Sequence, residues 1–330
     1  MNVRLTHIDG KLPNLALMKL AHWHRQRGDS VTFTRSLSRE MFEPEYDRVY
    51  GSSIFAFSRH RLDTFAGQWP EAILGGTGTD SLQTVEQAIG ADEYEHYDYS
   101  IYPDFTGSIG FTARGCRLRC GFCVVSKKEG KPRAVNTIAD LWRGEPYPKH
   151  LHLLDNDFFG QPADQWQARV SEILAGKFRV CFNQGINIRL ITEEAAEYIA
   201  QLPYYDDQFK TRRLYTAWDN LKDEAIFFRG VERLEKAGVP PTHLLVYMLV
   251  GYDPSETMER IMYRFEKMTA RGIRPYPMVY NNADPTLKRF QRWVIRKYYQ
   301  FIPFAEYNVN ARGHLALASM QSALDLEGAA

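Results

Sequence analysis

The chain has 330 residues, of which 44% are hydrophobic and 25% are charged, and its formal net charge is +1. This composition is typical of a globular protein, and it excludes a global field that would steer the whole chain to nucleic acid or an anionic membrane. No segment approaches the run of about 20 apolar residues that spans a bilayer, and Met1–Gly10 lacks the pattern of a secretion signal. The sequence therefore predicts a cytoplasmic protein without a membrane partner.

Strand and helix patterns alternate over the first hundred residues. Apolar residues at helical spacing follow Pro13, which suits a first helical turn, and Gly28 is placed to end that helix. Strands that alternate with helices favour a parallel sheet, so we expect an α/β fold with a doubly wound, Rossmann-like domain over residues 1–95. Its four predicted strands are Val3–Ile8, Val31–Thr34, one within Asp47–Phe57, and Ala72–Leu74.

The alternation resumes at longer spacing after a Tyr-rich linker at Asp92–Asp104. Six strand–helix units in succession predict a partial (β/α)6 barrel over residues 96–285, with its chemistry at the carboxyl ends of the strands. Asp253–Glu256 has the composition of a capped helix start, and residues 286–330 are expected to form a helical extension. The six predicted strands are Ser108–Thr112, Leu151–Leu154, Val180–Asn183, Leu214–Ala217, Leu244–Val250 and Tyr276–Tyr280.

Three of the four cysteines lie within eight residues, directly after the first of these six strands. Cys116, Cys120 and Cys123 are separated by three and then two residues, a clustering that indicates metal or redox chemistry in a reduced protein. Thiolates are preferred ligands of iron–sulfur cubanes, and three thiolates leave one of the four irons open to a reactant. The alternative is a non-catalytic binding protein that holds structural zinc or an iron–sulfur cluster. The fourth zinc ligand would then be His150, His152 or Cys181.

This spacing, with the aromatic Phe122 just before the last cysteine, resembles the signature of the radical S-adenosylmethionine superfamily. The resemblance implies a 4Fe-4S cluster on the three cysteines, with S-adenosylmethionine bound at the open iron. It also implies an external electron donor, such as flavodoxin or ferredoxin, that reduces the cluster. Cleavage of S-adenosylmethionine would give a 5′-deoxyadenosyl radical, which removes hydrogen from a small-molecule or other unidentified substrate.

The resemblance further implies that S-adenosylmethionine is bound at the ends of the later strands. Asp155 and Asn156 stand where the family contacts the amino group of the ligand, although its usual Gly-Gly-Glu form is absent here. Asn183 and Gln184 are candidates for the ribose hydroxyls, and Arg189 is a candidate for the methionine carboxylate. The alternatives are a helix cap or turn for the first pair and a surface position for the arginine.

Three further residues complete this set. Phe122 and Gly251 are candidate contacts of the adenine, since a glycine lets backbone approach a ring. Cys181 is expected to be a buried, inert thiol. The alternatives for Cys181 are a second cluster ligand and a contact to substrate.

The N-terminal domain resembles the cobalamin-binding type that precedes many radical S-adenosylmethionine cores. This resemblance adds cobalamin as a candidate cofactor and cobalamin-dependent methyl transfer as a candidate activity. The Asp-x-His-x-x-Gly cobalt-ligand motif is absent, and the alternative is a vestigial domain that binds no ligand. The candidate contacts are Ser52, Ser53, Gly75, Gly76 and Gly78.

A helix near the C-terminus combines basic and aromatic residues. Its apolar residues are expected to dock on the barrel while its charges face water. An RNA-modifying radical enzyme that binds nucleic acid through this helix is the alternative, although nucleic acid is not the favoured partner. The residues are Lys288, Arg289, Phe290, Arg292, Trp293, Arg296, Lys297 and Tyr298.

Overall fold

The computed structural model describes residues 1–280 and 282–309. The fold is α/β, with helices and parallel strands that alternate along the chain, as the sequence predicts. The chain divides into two compact units, Met1–Leu151 and His152–Ala330, so the domain boundary predicted at residues 95 and 96 lies inside the first unit and stays a prediction. Over the described ranges, no helix is both long and apolar enough to cross a membrane.

The first unit contains a four-stranded parallel sheet. Its strands are β1 (Asn2–His7), β2 (Ser30–Thr34), β3 (Arg48–Ser52) and β4 (Ile73–Gly75), and its helices are α1 (Leu15–Gln26), α2 (Arg59–Gln68) and α3 (Val85–Ile89). The strand order is β2-β1-β3-β4. Five of the six residues of the inner strand β1 are buried, as expected of a parallel strand covered on both faces. All four strands overlap the predicted segments.

Helix α1 begins after Pro13, not at it. Asn14 is the N-cap, because its side chain accepts a hydrogen bond from the Leu17 amide at 3.2 Å. Pro13 therefore precedes the cap, and the prediction that it occupies the first turn is wrong. The predicted end is correct: Gly28 adopts a φ of 78°, the left-handed conformation that commonly follows a helix.

Short elements complete the first unit, and only the first three residues of the predicted strand Ser108–Thr112 form a strand, β5. The Phe111 carbonyl accepts from Asn136 Nδ2 at 2.8 Å, and the Thr112 carbonyl accepts from the Val135 amide at 2.8 Å. The returning chain thus takes the hydrogen bonds that would have continued the strand. The elements are β5 (Ser108–Gly110), β6 (Ala113–Arg114), α4 (Val125–Lys128), β7 (Arg133–Ala134) and α5 (Ile138–Leu141).

Strands and helices alternate regularly from β8 onward. Two sheets contain these strands: β8 lies beside β9, and β10-β11-β12 form a parallel sheet in that order. The strands are β8 (His150–Leu153), β9 (Arg179–Phe182), β10 (Leu214–Ala217), β11 (Leu244–Val250) and β12 (Arg274–Val279). The helices are α6 (Ala163–Gly176), α7 (Glu193–Gln201), α8 (Glu224–Lys236), α9 (Met258–Ala270) and α10 (Pro285–Ile295).

Helix α9 begins two residues after the predicted capping segment Asp253–Glu256. Thr257 is the N-cap and accepts from the Arg260 amide at 3.3 Å. Asp253 instead closes a turn by accepting from the Ser255 amide at 2.9 Å. The carboxylate of Glu256 is engaged elsewhere in the fold, so the local capping signature is overridden by tertiary contacts.

The basic and aromatic helix is α10, and its apolar face is buried in the second unit. Phe290 is 0% exposed and Trp293 is 3% exposed, whereas Lys288 faces solvent. Arg289 packs its guanidinium over the Phe304 ring at 4.3 Å and donates to the Tyr307 carbonyl at 3.2 Å. These contacts agree with a docked helix. The predicted extension beyond residue 309 lies outside the described residues.

The fully buried Arg264 of α9 joins the ends of β10 and β11. Its Nη1 donates to the Trp218 carbonyl at 2.9 Å, and its Nη2 donates to the Leu249 carbonyl at 2.8 Å. Its guanidinium also pairs with the Glu256 carboxylate, which is itself mostly buried. A buried charge needs such compensation, so this arginine fixes the carboxyl edge of the sheet.

Replacing Arg264 with Met should lower the free energy of unfolding by about 3–5 kcal/mol, because the Glu256 carboxylate would be left buried without its partner. Arg260→Met, on the exposed side of the same helix, should change it by less than about 0.5 kcal/mol. Urea denaturation of both variants measures the difference. Equal midpoints for the two variants would remove the structural role assigned to Arg264.

Candidate metal and cofactor site

The three clustered cysteines lie on a loop that is closed at its base. Strands β6 and β7 are antiparallel and pair Ala113 with Ala134, so the chain leaves and returns at the same point. The Cys116 amide donates to the Gly130 carbonyl at 3.2 Å. Gly115 adopts a φ of 87°, and a Cβ there would lie 2.3 Å from the Lys131 carbonyl oxygen. The loop therefore closes only with glycine at this position.

Glu129 connects both sides of the loop base. One carboxylate oxygen accepts from the Gly115 amide at 3.0 Å, and the other lies 3.3 Å from Arg114 Nη2. Its backbone carbonyl accepts from Arg133 Nη1 at 2.9 Å. This one residue is thus bonded to both β6 and β7 and to the residue that precedes the first cysteine. The role of Glu129 could not be predicted from the sequence, because an acidic residue six positions after the last cysteine belongs to no recognisable motif.

The three clustered cysteines are partly exposed residues, and backbone hydrogen bonds shape the loop around them. None of the four cysteines forms a disulfide. The Leu118 amide donates to Cys116 Sγ at 3.4 Å, and the Cys123 amide donates to the Cys120 carbonyl at 3.0 Å. Among the residues that the structure describes, no three His, Cys, Asp or Glu side chains are grouped closely enough to hold a metal ion.

The chemistry of the donor set still fits an iron–sulfur cluster or zinc. Three thiols on one short loop form a soft, all-sulfur ligand set, which is what both groups prefer. Cys181, a candidate fourth ligand, is fully buried in β9, and burial raises the pKa of its thiol, with further contributions from Asp207 and Asp206. A buried, protonated thiol is a poor metal ligand. These observations agree with the inert role expected of Cys181.

The ends of β8 and β9 are brought together in the second unit. The Asn183 amide donates to the Leu153 carbonyl at 2.9 Å, and the His152 imidazole Nδ1 lies 3.2 Å from Asn183 Oδ1. Asp155 follows β8 and is 3% exposed, and Asn156 beside it is half-buried. The topology therefore gathers the predicted polar residues at neighbouring strand ends.

Gln184 and Arg189 occupy the turn and the loop after β9. The Gly185 amide donates to the Phe182 carbonyl at 2.9 Å, which places Asn183 and an exposed Gln184 at the centre of a tight turn. Arg189 lies in a single 3-10 turn and pairs through Nη1 with Asp223 Oδ2 at 2.9 Å. Its guanidinium is thus held in a fixed position by an acid that follows β10.

Gly251 is required by the backbone at the end of β11. Its φ is 78°, and a Cβ there would lie 2.5 Å from Leu287 Cδ1 of α10. Its amide donates to Glu256 Oε2 at 2.8 Å, so the Glu256–Arg264 pair extends to this turn. Phe122, the other candidate adenine contact, is 38% exposed on the cysteine loop.

One face of the β10-β11-β12 sheet carries a row of tyrosines. Tyr215 and Tyr247 are stacked at 6.0 Å between ring centroids, and Tyr276 meets Tyr247 edge-on at 5.8 Å. All three tyrosines are half-buried. Val246 and Met248, which flank Tyr247 in β11 and face the other side of the sheet, are 0% exposed. This row of tyrosines was not predicted, because the sequence does not reveal the register in which the three strands pair.

The candidate cobalamin contacts of the first unit are engaged within the fold. Ser52 Oγ accepts from Asn14 Nδ2 at 2.8 Å, and the Ser53 carbonyl accepts from the Gly78 amide at 2.9 Å. Gly76 adopts a φ of 101°, and a Cβ there would lie 2.0 Å from the Ser53 carbonyl oxygen; at Gly75 a Cβ would meet open space. Gly76 is therefore explained by backbone packing, while Gly75 has no such structural requirement.

His7 is the last residue of β1, and Asp9 follows the strand. Neither residue was among the candidates predicted from the sequence. Burial by itself would raise the pKa of Asp9, but hydrogen bonds from the Ile54 and Phe55 amides, with help from Ser53, lower it. Burial lowers the pKa of His7 to about 4, and its Nδ1 lies 3.0 Å from the Tyr102 hydroxyl. Their position at the carboxyl edge of a parallel sheet was the available signal.

A comparison of the chain with protein families, with curated proteins and with solved structures found no match in any of the three.

Replacing Glu129 with Ala should accelerate amide hydrogen exchange at Gly115 and Cys116 roughly 10- to 100-fold, the effect of losing charged hydrogen bonds worth about 1.5–3 kcal/mol. Site-resolved exchange in the metal-free protein measures this change. Glu45→Ala, which removes an exposed ion pair with Arg39, is the matched control and should leave both amides unaffected. Unchanged exchange in the Glu129 variant would show that the loop is closed by other contacts.

Proposed function

We propose that this chain is a radical S-adenosylmethionine enzyme that removes hydrogen from a substrate still to be identified. The observation that carries the proposal is the spacing of Cys116, Cys120 and Cys123 on one closed loop, followed by alternating strands and helices. A 4Fe-4S cluster on these sulfurs would supply the electron that breaks a carbon–sulfur bond of S-adenosylmethionine, giving methionine and a 5′-deoxyadenosyl radical.

In this proposal the chain's own residues hold and orient the reactants. The turn at Asn183 and Gln184 would offer amide groups to the ribose hydroxyls, and Asp155 and Asn156 would accept from the amino group. Arg189 would bind the methionine carboxylate through charge-assisted hydrogen bonds, with Asp223 fixing its side chain. All of these residues follow strands β8, β9 or β10, and the carboxyl ends of parallel strands are the edge at which α/β folds commonly bind ligands.

The proposal includes the finer architecture that the sequence predicts. Residues 1–95 would form the Rossmann-like domain, 96–285 the partial (β/α)6 barrel and 286–330 the C-terminal extension. The parallel order β2-β1-β3-β4 supports the first assignment, and the parallel β10-β11-β12 sheet supports the second. We also propose a cytoplasmic location, where cysteines remain reduced and flavodoxin or ferredoxin can serve as the electron donor.

Purified under anaerobic conditions, the protein should contain about four irons and four sulfides per chain, as the three-cysteine cubane requires. After reduction with dithionite it should cleave S-adenosylmethionine to 5′-deoxyadenosine and methionine. Cys120→Ala should lose both the cluster and the cleavage, whereas Cys181→Ala should retain both. A protein with one zinc and no sulfide would instead establish the non-catalytic alternative.

Cobalamin-dependent methyl transfer is the more specific activity within this proposal. The observation that favours it is the open space at Gly75, beside the parallel sheet edge, where close approach of a ligand meets no side chain. Hydroxocobalamin added to the reconstituted protein should remain bound through gel filtration and add its absorption bands to those of the cluster. Complete loss of the corrinoid on the column would restrict residues 1–95 to a structural role.

A further inference from the structure

The cysteine loop carries a strong positive charge that the composition of the whole chain conceals. Residues 113–135 contain seven Lys or Arg and one acidic residue, Glu129. The other 307 residues contain 34 basic and 39 acidic residues, a net charge of −5. The positive net charge of the whole chain therefore comes from this loop, because the remainder of the chain is net negative.

Five of these seven basic residues are exposed to solvent. The single acid of this segment, Glu129, has only 14% of its side chain exposed and is paired with Arg114. Lys127 stands on α4, directly after the last cysteine, and Lys131 precedes the returning strand β7. The exposed basic residues are Arg117, Arg119, Lys127, Lys131 and Arg133. We name these five residues the basic face.

The basic face is fixed in position relative to the cysteines. Arg117 and Arg119 lie between Cys116 and Cys120 along the chain, and the loop that carries all of them is closed at Gly115. Charges that lie close together on one loop add to a strong local field. The same charges scattered over the surface would be separated by more than the screening length and would not add in this way. A partner that meets this face meets the cysteine ligands at the same time.

We propose that the basic face is the docking surface for an acidic electron-transfer protein, an inference that rests on the proposed function. One electron leaves the reduced donor, which is oxidised, and enters the cluster, which is reduced; no bond forms and no proton is needed. Such a donor must approach the redox centre closely but transiently, and complementary charge at the rim of an interface speeds encounter without making the complex permanent.

The composition of the loop favours a protein over a nucleic acid. Sequence-tolerant binding of single strands combines basic residues with several aromatic side chains on which successive bases stack. Over residues 113–135 the sequence has one aromatic residue, Phe122. The loop thus offers a field for an acidic surface but no stacking platform.

The test measures how fast a reduced, acidic ferredoxin reduces the reconstituted protein in a stopped-flow spectrometer. Lys127→Glu/Lys131→Glu reverses two charges outside the Cys116–Cys123 segment. Lys11→Glu/Lys210→Glu makes the same change in net charge at two exposed positions elsewhere. We expect the loop variant to be reduced at least 10-fold more slowly than wild type and the control at low salt, with the three rates converging at high salt.

Reduced methyl viologen, a small cation, serves as a donor that needs no docking surface, and it should reduce the loop variant at least as fast as wild type. Equal ferredoxin rates in the loop and control variants, with viologen reduction intact, would overturn the docking surface but leave the proposed function standing. Wild-type protein that carries no reducible cluster would overturn both. RNA that binds the basic face tightly without slowing ferredoxin would also overturn it, because the face would then serve another partner.

Discussion

Closure of the cysteine loop is the constraint on which the candidate site depends. Bringing the ends of a loop of this length together has an entropic cost, of which the part that depends on loop length is about 2–3 kcal/mol. The β6–β7 ladder has only two residue pairs, and net backbone hydrogen bonds contribute about 0.5–1.5 kcal/mol each, so the ladder alone barely offsets that cost. The charged contacts of Glu129 and the glycine at position 115 therefore decide whether the cysteines share one fixed loop.

The elements that the sequence predicted well are those whose burial determines their composition. β11 is a buried parallel strand and a continuous apolar run that can be recognised without knowledge of its neighbours. In β1 the apolar Val3 and Leu5 alternate with polar residues, which is the other local pattern of a strand. Element ends were less predictable. Asp253 and Glu256 have the right composition for a helix start, but Glu256 is bonded to Gly251 and Arg264, so the helix begins at Thr257. A local capping signal competes poorly with a buried ion pair.

The candidate site shows the same division between local and distant information. The cysteine spacing is a local pattern and was visible directly, and the polar residues after β9 could be found because strand ends share one edge of a sheet. Asp9 also follows a strand, but its hydrogen-bond partners Ile54 and Phe55 lie 45 and 46 residues away, so its bonding could not be read from the sequence. The pairing of Arg189 with Asp223, 34 residues apart, was equally invisible before the strands were placed in order.

Net charge illustrates why whole-chain properties mislead about function. A value of +1 correctly excludes a field that acts on the whole molecule, yet it is the sum of a strongly basic loop and an acidic remainder. At physiological ionic strength a charge is screened over about 8 Å, so an approaching partner responds to the nearest residues and not to the total. The relevant quantity is the charge within that distance of the cysteines. Because loop closure sets which residues lie there, the same contacts that shape the cysteine loop also determine the electrostatic surface around it.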